Sequence, residues 1–394
     1  MLLKDEYKGF GGLMRREWHE ILGNRTLRLC LVYLPLAVLL FFTQLFKAQQ
    51  PTNLPLAVVD QDNSALSQKL VRMLDAVPEL KLIRDYSEPS AAEAALVASK
   101  TYGTVLIPDG FEKAILKGEQ ANVAMYYNNE LLIPSGIVSK AVNKLTATMG
   151  VGIAVKRNLM AGDSYESALK RAQPIVIDSE VMFNPTVNYL FYLVAGILPA
   201  LLQIFVLMVG GYAIGRELRN GTGKEWLAYA DNKMWKAVLG KLLPYALIFT
   251  IVGLIYNSVL FDYLSVPMYG SRIITESGLI LMICCYLGIS FTLIAWSANM
   301  RFAVSVSAIL GALAFSFSGL TFPLSGMPET ASTISQFFPF THYLELMLNQ
   351  AFYGASFVNG LAGIALMCGF LILPVLSIPR MKKILADPKY YGRL

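Results

Sequence analysis

Arg216 to Ala228 reads RELRNGTGKEWLA, a polar run set between two apolar runs, Tyr189 to Ile214 and Ala237 to Phe261, each long enough to cross a bilayer. A segment so placed can pull on two membrane helices at once. Asn220-Gly221-Thr222-Gly223 suits a flexible turn, and Glu217, Arg219, Lys224 and Glu225 suit a short amphipathic helix lying on the membrane face. The same residues also suit a positive-inside anchor that only sets topology.

The rest of the chain has the composition of a membrane protein. Of its 394 residues 55% are hydrophobic and 15% charged, and the mean hydropathy is +0.51, outside the usual range of soluble globular proteins. The net charge of +6 does not point to nucleic acid, because the basic residues gather at the ends of apolar runs instead of forming a stripe. Cys30, Cys284, Cys285 and Cys368 all fall in apolar runs, so neither a disulfide framework nor a cysteine metal site follows. His19 and His342 are the only histidines and lie far apart, which gives no support to a zinc cluster or a histidine-based catalytic site.

Lys4, Lys8, Arg15, Arg16, Arg25 and Arg28 crowd the N-terminal end, where Leu13, Trp18, Ile21 and Leu22 can share one side of an interfacial helix. An ordinary basic flank of a signal anchor is compatible with the same residues. Leu27 to Phe46 supplies one crossing and lacks a convincing small-x-small cleavage site, so a retained helix is expected. From Ala48 to about Asn188 the hydropathy falls and short strand patterns alternate with helical ones. Strands are expected at Pro55–Val59, Leu80–Ile83, Gly103–Ile107, Val123–Tyr127 and Ile175–Met182. Helices are expected from the Ser64 cap to Leu74, over Ser90–Ser99, over Phe111–Leu116 with Asp109 as cap, and from Ile133 to about Lys170 with breaks near Gly150 and Gly162. About 140 residues can support an independent core.

Five further apolar runs follow: 189–214, 237–261, 273–296, 302–322 and 357–378. Lys and Arg concentrate before residue 29, in the loop 215–236 and after Arg380, whereas 262–272 holds only Arg272 and 323–356 holds none. The basic loops belong on the cytoplasmic side. The fold class read here is therefore an α-helical polytopic membrane protein with six transmembrane helices and an α/β extracytoplasmic domain inserted between helices 1 and 2. Its parts are a cytoplasmic interfacial helix (1–26), the first transmembrane helix (27–47), the outer domain (48–188), helices 2–6 (189–379) with the cytoplasmic loop 215–236, and a tail (380–394). Both termini are cytoplasmic.

The external stretch 323–352 stays apolar without making a clean span. Pro323, Pro328 and Pro339 break helices there, so a re-entrant or interfacial helical pair is expected, with Met327 between its parts and His342 and Glu345 near the outer face. That pair suits a substrate path or a merely local hydrogen-bonded arrangement. Gln203, Asn257 and Ser316 are polar residues within the apolar runs and are candidates for a substrate pathway. Small residues in the fifth run, and Gly211-x-x-x-Gly215, suit close helix packing.

Taken in order, these segments resemble the ABC-2 type permeases, the membrane subunits of one class of ATP-binding-cassette exporters. The resemblance rests on Arg16-Glu17-Trp18 before the first span, on AVVDQDNSALSQKLVRML from Ala57, and on GTVLIPDGFEKAILKGEQANVAMYYNN from Gly103. It continues in Phe183-Asn184-Pro185, in Arg216-Glu217 with Gly221-Thr222 and Glu225, and in Phe322-Pro323, Met327-Pro328 and Phe338-Pro339. Lys224 departs from the pattern, standing where an apolar residue is commoner.

The resemblance implies a half-transporter of a bacterial inner (plasma) membrane that pairs with a second copy or a homologous permease above two ABC ATPase subunits. It would move a hydrophobic or amphiphilic, drug-like or lipid-like molecule outward. ATP and Mg would sit on the partner ATPases, and this chain would bind no cofactor; no G-x-x-x-x-G-K-[ST] occurs in it. Glu17, Trp18, Arg216, Glu217, Arg219, Gly221, Thr222 and Glu225 would carry the ATPase coupling, with Glu217 pairing with a basic group on the ATPase. Membrane lipid is the surrounding partner, and docking of a periplasmic adaptor on the outer domain stays open. Two other readings stay open as well: a receptor or scaffold whose outer domain binds a partner, and a polysaccharide-export permease of the same superfamily.

Overall fold

The computed structural model describes residues 5–47, 51–176, 184, 188 and 190–392. The chain divides into two compact units, Met1–Gln49 with Val181–Leu394, and Gln50–Glu180.

The second unit is built on a four-stranded sheet of β1 Leu54–Asp60, β2 Leu80–Ile83, β3 Gly103–Ile107 and β4 Ala124–Tyr127, in the order β2-β1-β3-β4. β1 runs parallel to β2 and β3, which requires helical crossovers, and Ala65–Asp75 and Pro89–Val97 provide them; β4 is antiparallel to β3. Ser64 caps the first of these helices by accepting the Ser67 N–H. Leu56, Leu70, Leu74, Val105, Ile107 and Val138 are buried together, so one apolar face of the sheet is covered by Ala65–Asp75 and the long helix Leu132–Met160.

The D-x-D-x-S segment after β1 is consumed by this fold. Asp60 accepts the N–H groups of Asp62 and Asn63 at 3.1 and 3.0 Å and the Ser67 hydroxyl at 2.7 Å, while Asp62 accepts the Glu112 N–H at 3.1 Å. The start of the Phe111–Lys117 helix is thus served by Asp62 from another loop and not by Asp109, because Gly110 occupies the cap position in a left-handed conformation, φ +78°. The long helix does not break near Gly150 but runs through to Met160; the break comes at Gly162, φ +98°, before Tyr165–Ala172. Ile175 and Val176 form no strand, and the rest of the expected strand lies outside the described residues, as do Phe183 and Pro185.

Among the described residues of the first unit, five helices are long and apolar enough to cross a membrane: Arg25–Leu45, Ala195–Arg219, Met234–Tyr263, Arg272–Ser297 and Phe357–Ala386. Arg25–Leu45 widens to a π-turn over Leu29–Tyr33, next to Pro35, whose ring crowds the carbonyl four residues back. The expected run 302–322 is helical only over Met300–Ser316, 17 residues. That is about 25 Å at 1.5 Å per residue, shorter than a hydrocarbon core of about 30 Å. The last long helix bends at Leu371 and continues to Ala386, so the first residues of the expected tail belong to it.

Glycines let these helices approach. A Cβ at Gly210 would stand 2.3 Å from Ser290 Oγ and one at Gly215 2.6 Å from Met300 Cγ, whereas Gly211 has only ordinary contacts. Close approach therefore falls on Gly210 and Gly215, not on the Gly211-x-x-x-Gly215 pair. In the stretch 323–352 the prolines begin elements: Pro323 precedes the turn Leu324–Gly326, Pro328 precedes Glu329–Ser335, and Pro339 opens Pro339–Ala351. The last of these helices is buried against Arg272–Ser297, where the Phe340 N–H donates to the Tyr286 hydroxyl at 3.2 Å.

Candidate coupling site where three helices meet

The helix Gly9–Gly23 buries Leu13, Glu17 and Ile21, a single stripe at four-residue spacing, against Met234–Tyr263. Gly240 makes the approach possible, since a Cβ there would stand 2.9 Å from that of Leu13. Leu22 is exposed and Trp18 half-buried, so the stripe differs from the expected one of Leu13, Trp18, Ile21 and Leu22. The carboxylate in its middle is the reason: a buried charge must find partners.

Glu17 finds them on the facing helix. Lys241 Nζ lies 2.7 Å from Glu17 Oε1 and 2.8 Å from Glu217 Oε1, and the Tyr245 hydroxyl donates to Glu17 Oε2 at 3.2 Å. Arg16 closes the group from the connector side, donating to Glu217 Oε2 at 3.0 Å with its other terminal nitrogen 2.9 Å from Oε1. The Thr222 hydroxyl donates to Glu217 as well. Two cations therefore neutralise two carboxylates. Burial opposes the charge of Arg16, but Glu217, then Glu17 and Glu20, hold its guanidinium above the ordinary value. Arg216 pairs with Glu20 at the rim, and the Lys241 ammonium lies 5.4 Å from the Trp226 ring centroid. Trp226 is itself anchored by donating from Nε1 to the Ala237 carbonyl at 3.2 Å.

The structure thus brings together Glu17, Arg216, Glu217 and Thr222 from the expected set. Arg216, Glu217 and Arg219 form the last turn of Ala195–Arg219 and do not belong to a separate helix on the membrane face. Gly221 makes the turn with φ +72°, and the short helix is Gly223–Tyr229, on which Glu225 is half-buried outside the charged group. Glu217 is 4% exposed, so its carboxylate is not free to meet a basic group of another protein. Arg16, Lys241 and Tyr245 are the members that sequence reasoning missed. A lone lysine within an apolar run of membrane-spanning length was the available signal for Lys241.

The pathway candidates are not joined by hydrogen bonds among the described residues. Gln203 is buried and donates to the Gly311 carbonyl at 3.3 Å; Asn257 donates to Glu276 at 2.9 Å; Ser316 is exposed and bonds the Ala312 carbonyl at 3.1 Å. His342 is buried with Nε2 3.0 Å from the Gln336 carbonyl, while Glu345 is exposed, and among the described residues no hydrogen bond links the two.

Long apolar helices tied together by buried polar contacts define a polytopic α-helical membrane protein. The chain belongs to the ABC-2 family of transporter proteins, whose family model matches residues 25–377. It is 18% identical over 338 residues to the probable multidrug ABC transporter permease YbhR of Escherichia coli K12, covering 85% of this chain and 87% of that one. It is also 27% identical over 117 residues to the linearmycin resistance permease protein LnrN of Bacillus subtilis, covering 29% of this chain and 30% of that one. Permeases of this family are transporter membrane subunits without an ATPase site of their own.

Proposed function

We propose that this chain is the permease subunit of an ABC exporter, and that motion of separate ATPase subunits enters it through the Gly9–Gly23 helix and the 220–233 segment. The observation that carries this reading is the buried group Arg16, Glu17, Glu217 and Lys241, which joins three helices at one point. A push on either cytoplasmic element then reaches Ala195–Arg219 and Met234–Tyr263 together, as a rigid-body change requires. In this reading Glu217 acts within the chain, as the knot between connector and loop.

The remaining assignments belong to the same proposal. Six crossings place both termini in the cytoplasm of a bacterial inner membrane and residues 48–188 outside. A second copy or a homologous permease completes the pathway, and ATP and Mg bind the ATPases. The names of the two relatives, one multidrug and one linearmycin resistance, favour a hydrophobic or amphiphilic cargo for this chain too.

The test is ATP hydrolysis by the partner ABC ATPase, alone and in complex with this permease. Glu17→Gln should leave the complex assembled while lowering the ratio of complexed to free ATPase rate, and ethidium efflux should fall with it. An unchanged ratio and unchanged efflux in Glu17→Gln and Lys241→Met alike would remove the coupling role.

A further inference from the structure

The segment Asp387 to Gly392 has no part in the reading above, yet it touches the candidate loop at several points. The Gly392 N–H donates at 3.1 Å to the Leu218 carbonyl in the last turn of Ala195–Arg219, which also accepts the Gly221 N–H at 3.3 Å. The Tyr391 hydroxyl donates to the Leu385 carbonyl. Gly221 and Gly223 make room for it. A Cβ at Gly223 would stand 2.6 Å from Leu385 Cδ2 and 3.0 Å from the Tyr391 oxygen, and one at Gly221 3.7 Å from the Tyr391 ring.

The loop has a specific need for this neighbour. Thr222 occupies the N-cap position of Gly223–Tyr229 with φ −90° and ψ 5°, away from the extended backbone usual there, and its side chain caps nothing while its hydroxyl donates to Glu217. The first N–H groups of that helix therefore lack the usual cap. Tyr391 holds this start by packing instead, its oxygen and ring lying over Gly223 and its ring over Gly221. The segment carrying it is ordered by Asp387, which accepts the Lys389 N–H at 3.1 Å.

We propose that Tyr391, with Gly392, is a positioning residue of the coupling loop, strapping the start of Gly223–Tyr229 to the final turn of Ile372–Ala386. The loop then moves with the last long helix as well as with the two helices it joins. This rests on the proposed coupling role of the loop.

The experiment uses the full-length permease with its partner ABC ATPase in nanodiscs of Escherichia coli polar lipid, and reads the ratio of complexed to free ATPase rate. Tyr391→Phe keeps the ring on its glycine seat and loses the hydroxyl bond to the Leu385 carbonyl; the ratio should fall about threefold to tenfold, the range one lost hydrogen bond supports, with the complex still assembled. Tyr391→Ala should lower it further. An unchanged ratio in both variants overturns the proposal, and so does a fall that only tracks loss of assembled complex in both, since that marks a folding residue. Glu17→Gln run in parallel separates the two claims: if it lowers the ratio and the Tyr391 variants do not, the strap fails and the coupling reading stands. If neither changes the ratio, both fail.

Discussion

Lys241 Nζ sits 2.8 Å from Glu217 Oε1 with both side chains almost fully buried, 4% and 5% exposed, and the same nitrogen reaches Glu17 at 2.7 Å. One ammonium thus links two carboxylates that would otherwise repel each other at the meeting point of three helices. The geometry works only while the charges balance.

Lys241→Met leaves Glu17 and Glu217 buried with Arg16 as their remaining close cation, and removing one partner of such a group costs about 3–5 kcal/mol. The expected outcome is a lower Tm of the detergent-purified permease. Adding Glu217→Gln should recover part of the loss, because it removes the orphaned charge. A double mutant that is as unstable as the sum of the singles would show that the residues do not interact.

Topology is checked by single cysteines on a cysteine-free background. Lys113 in the second unit and Asn220 in the turn are both exposed. An impermeant maleimide on intact spheroplasts should label Lys113→Cys and spare Asn220→Cys. The opposite pattern would place the second unit inside.

Residues 51–176 should fold as an isolated fragment, since their sheet and helices bury their own apolar residues, Leu56, Val105 and Val138 among them at 0% exposed. Its circular dichroism should melt in one cooperative step. Leu56→Ala should cost about 2–5 kcal/mol by leaving a cavity between sheet and helices. A fragment without a melting transition would mean that the second unit needs the rest of the chain.

Acid should weaken the same fragment partly through Asp62. The Ser64 hydroxyl, followed by N–H groups at the start of Phe111–Lys117, holds this carboxyl below its ordinary value of 3.8. A depressed folded value gives a contribution that is present above 3.8 and lost as pH falls through the folded value. The Tm of the fragment should therefore drop more steeply below about pH 4 than that of Asp62→Ala, while at pH 7 the variant should melt lower. Parallel curves for the two proteins would assign the acid sensitivity elsewhere.

Local patterns in the chain were sufficient for the membrane class, for the positions of β1 to β4, for the turn at Gly221 and for the interruptions at Pro328 and Pro339, though not for the helices that begin there. Each depends on short-range chemistry: apolar run length, strand alternation, left-handed glycine and the fixed φ of proline. The sequence also marked Glu17 and Glu217 through their place in motifs. It could not show that they share one lysine, because Glu17, Glu217 and Lys241 lie on three helices and meet only through packing at Gly240 and Leu13. Asp62 reaching the Phe111–Lys117 helix and Tyr391 reaching Gly223 are of the same kind. Periodicity reports which face of an element is apolar, whereas the partner of a buried charge or an uncapped N–H is settled by whichever distant segment the tertiary fold brings within about 3 Å of it.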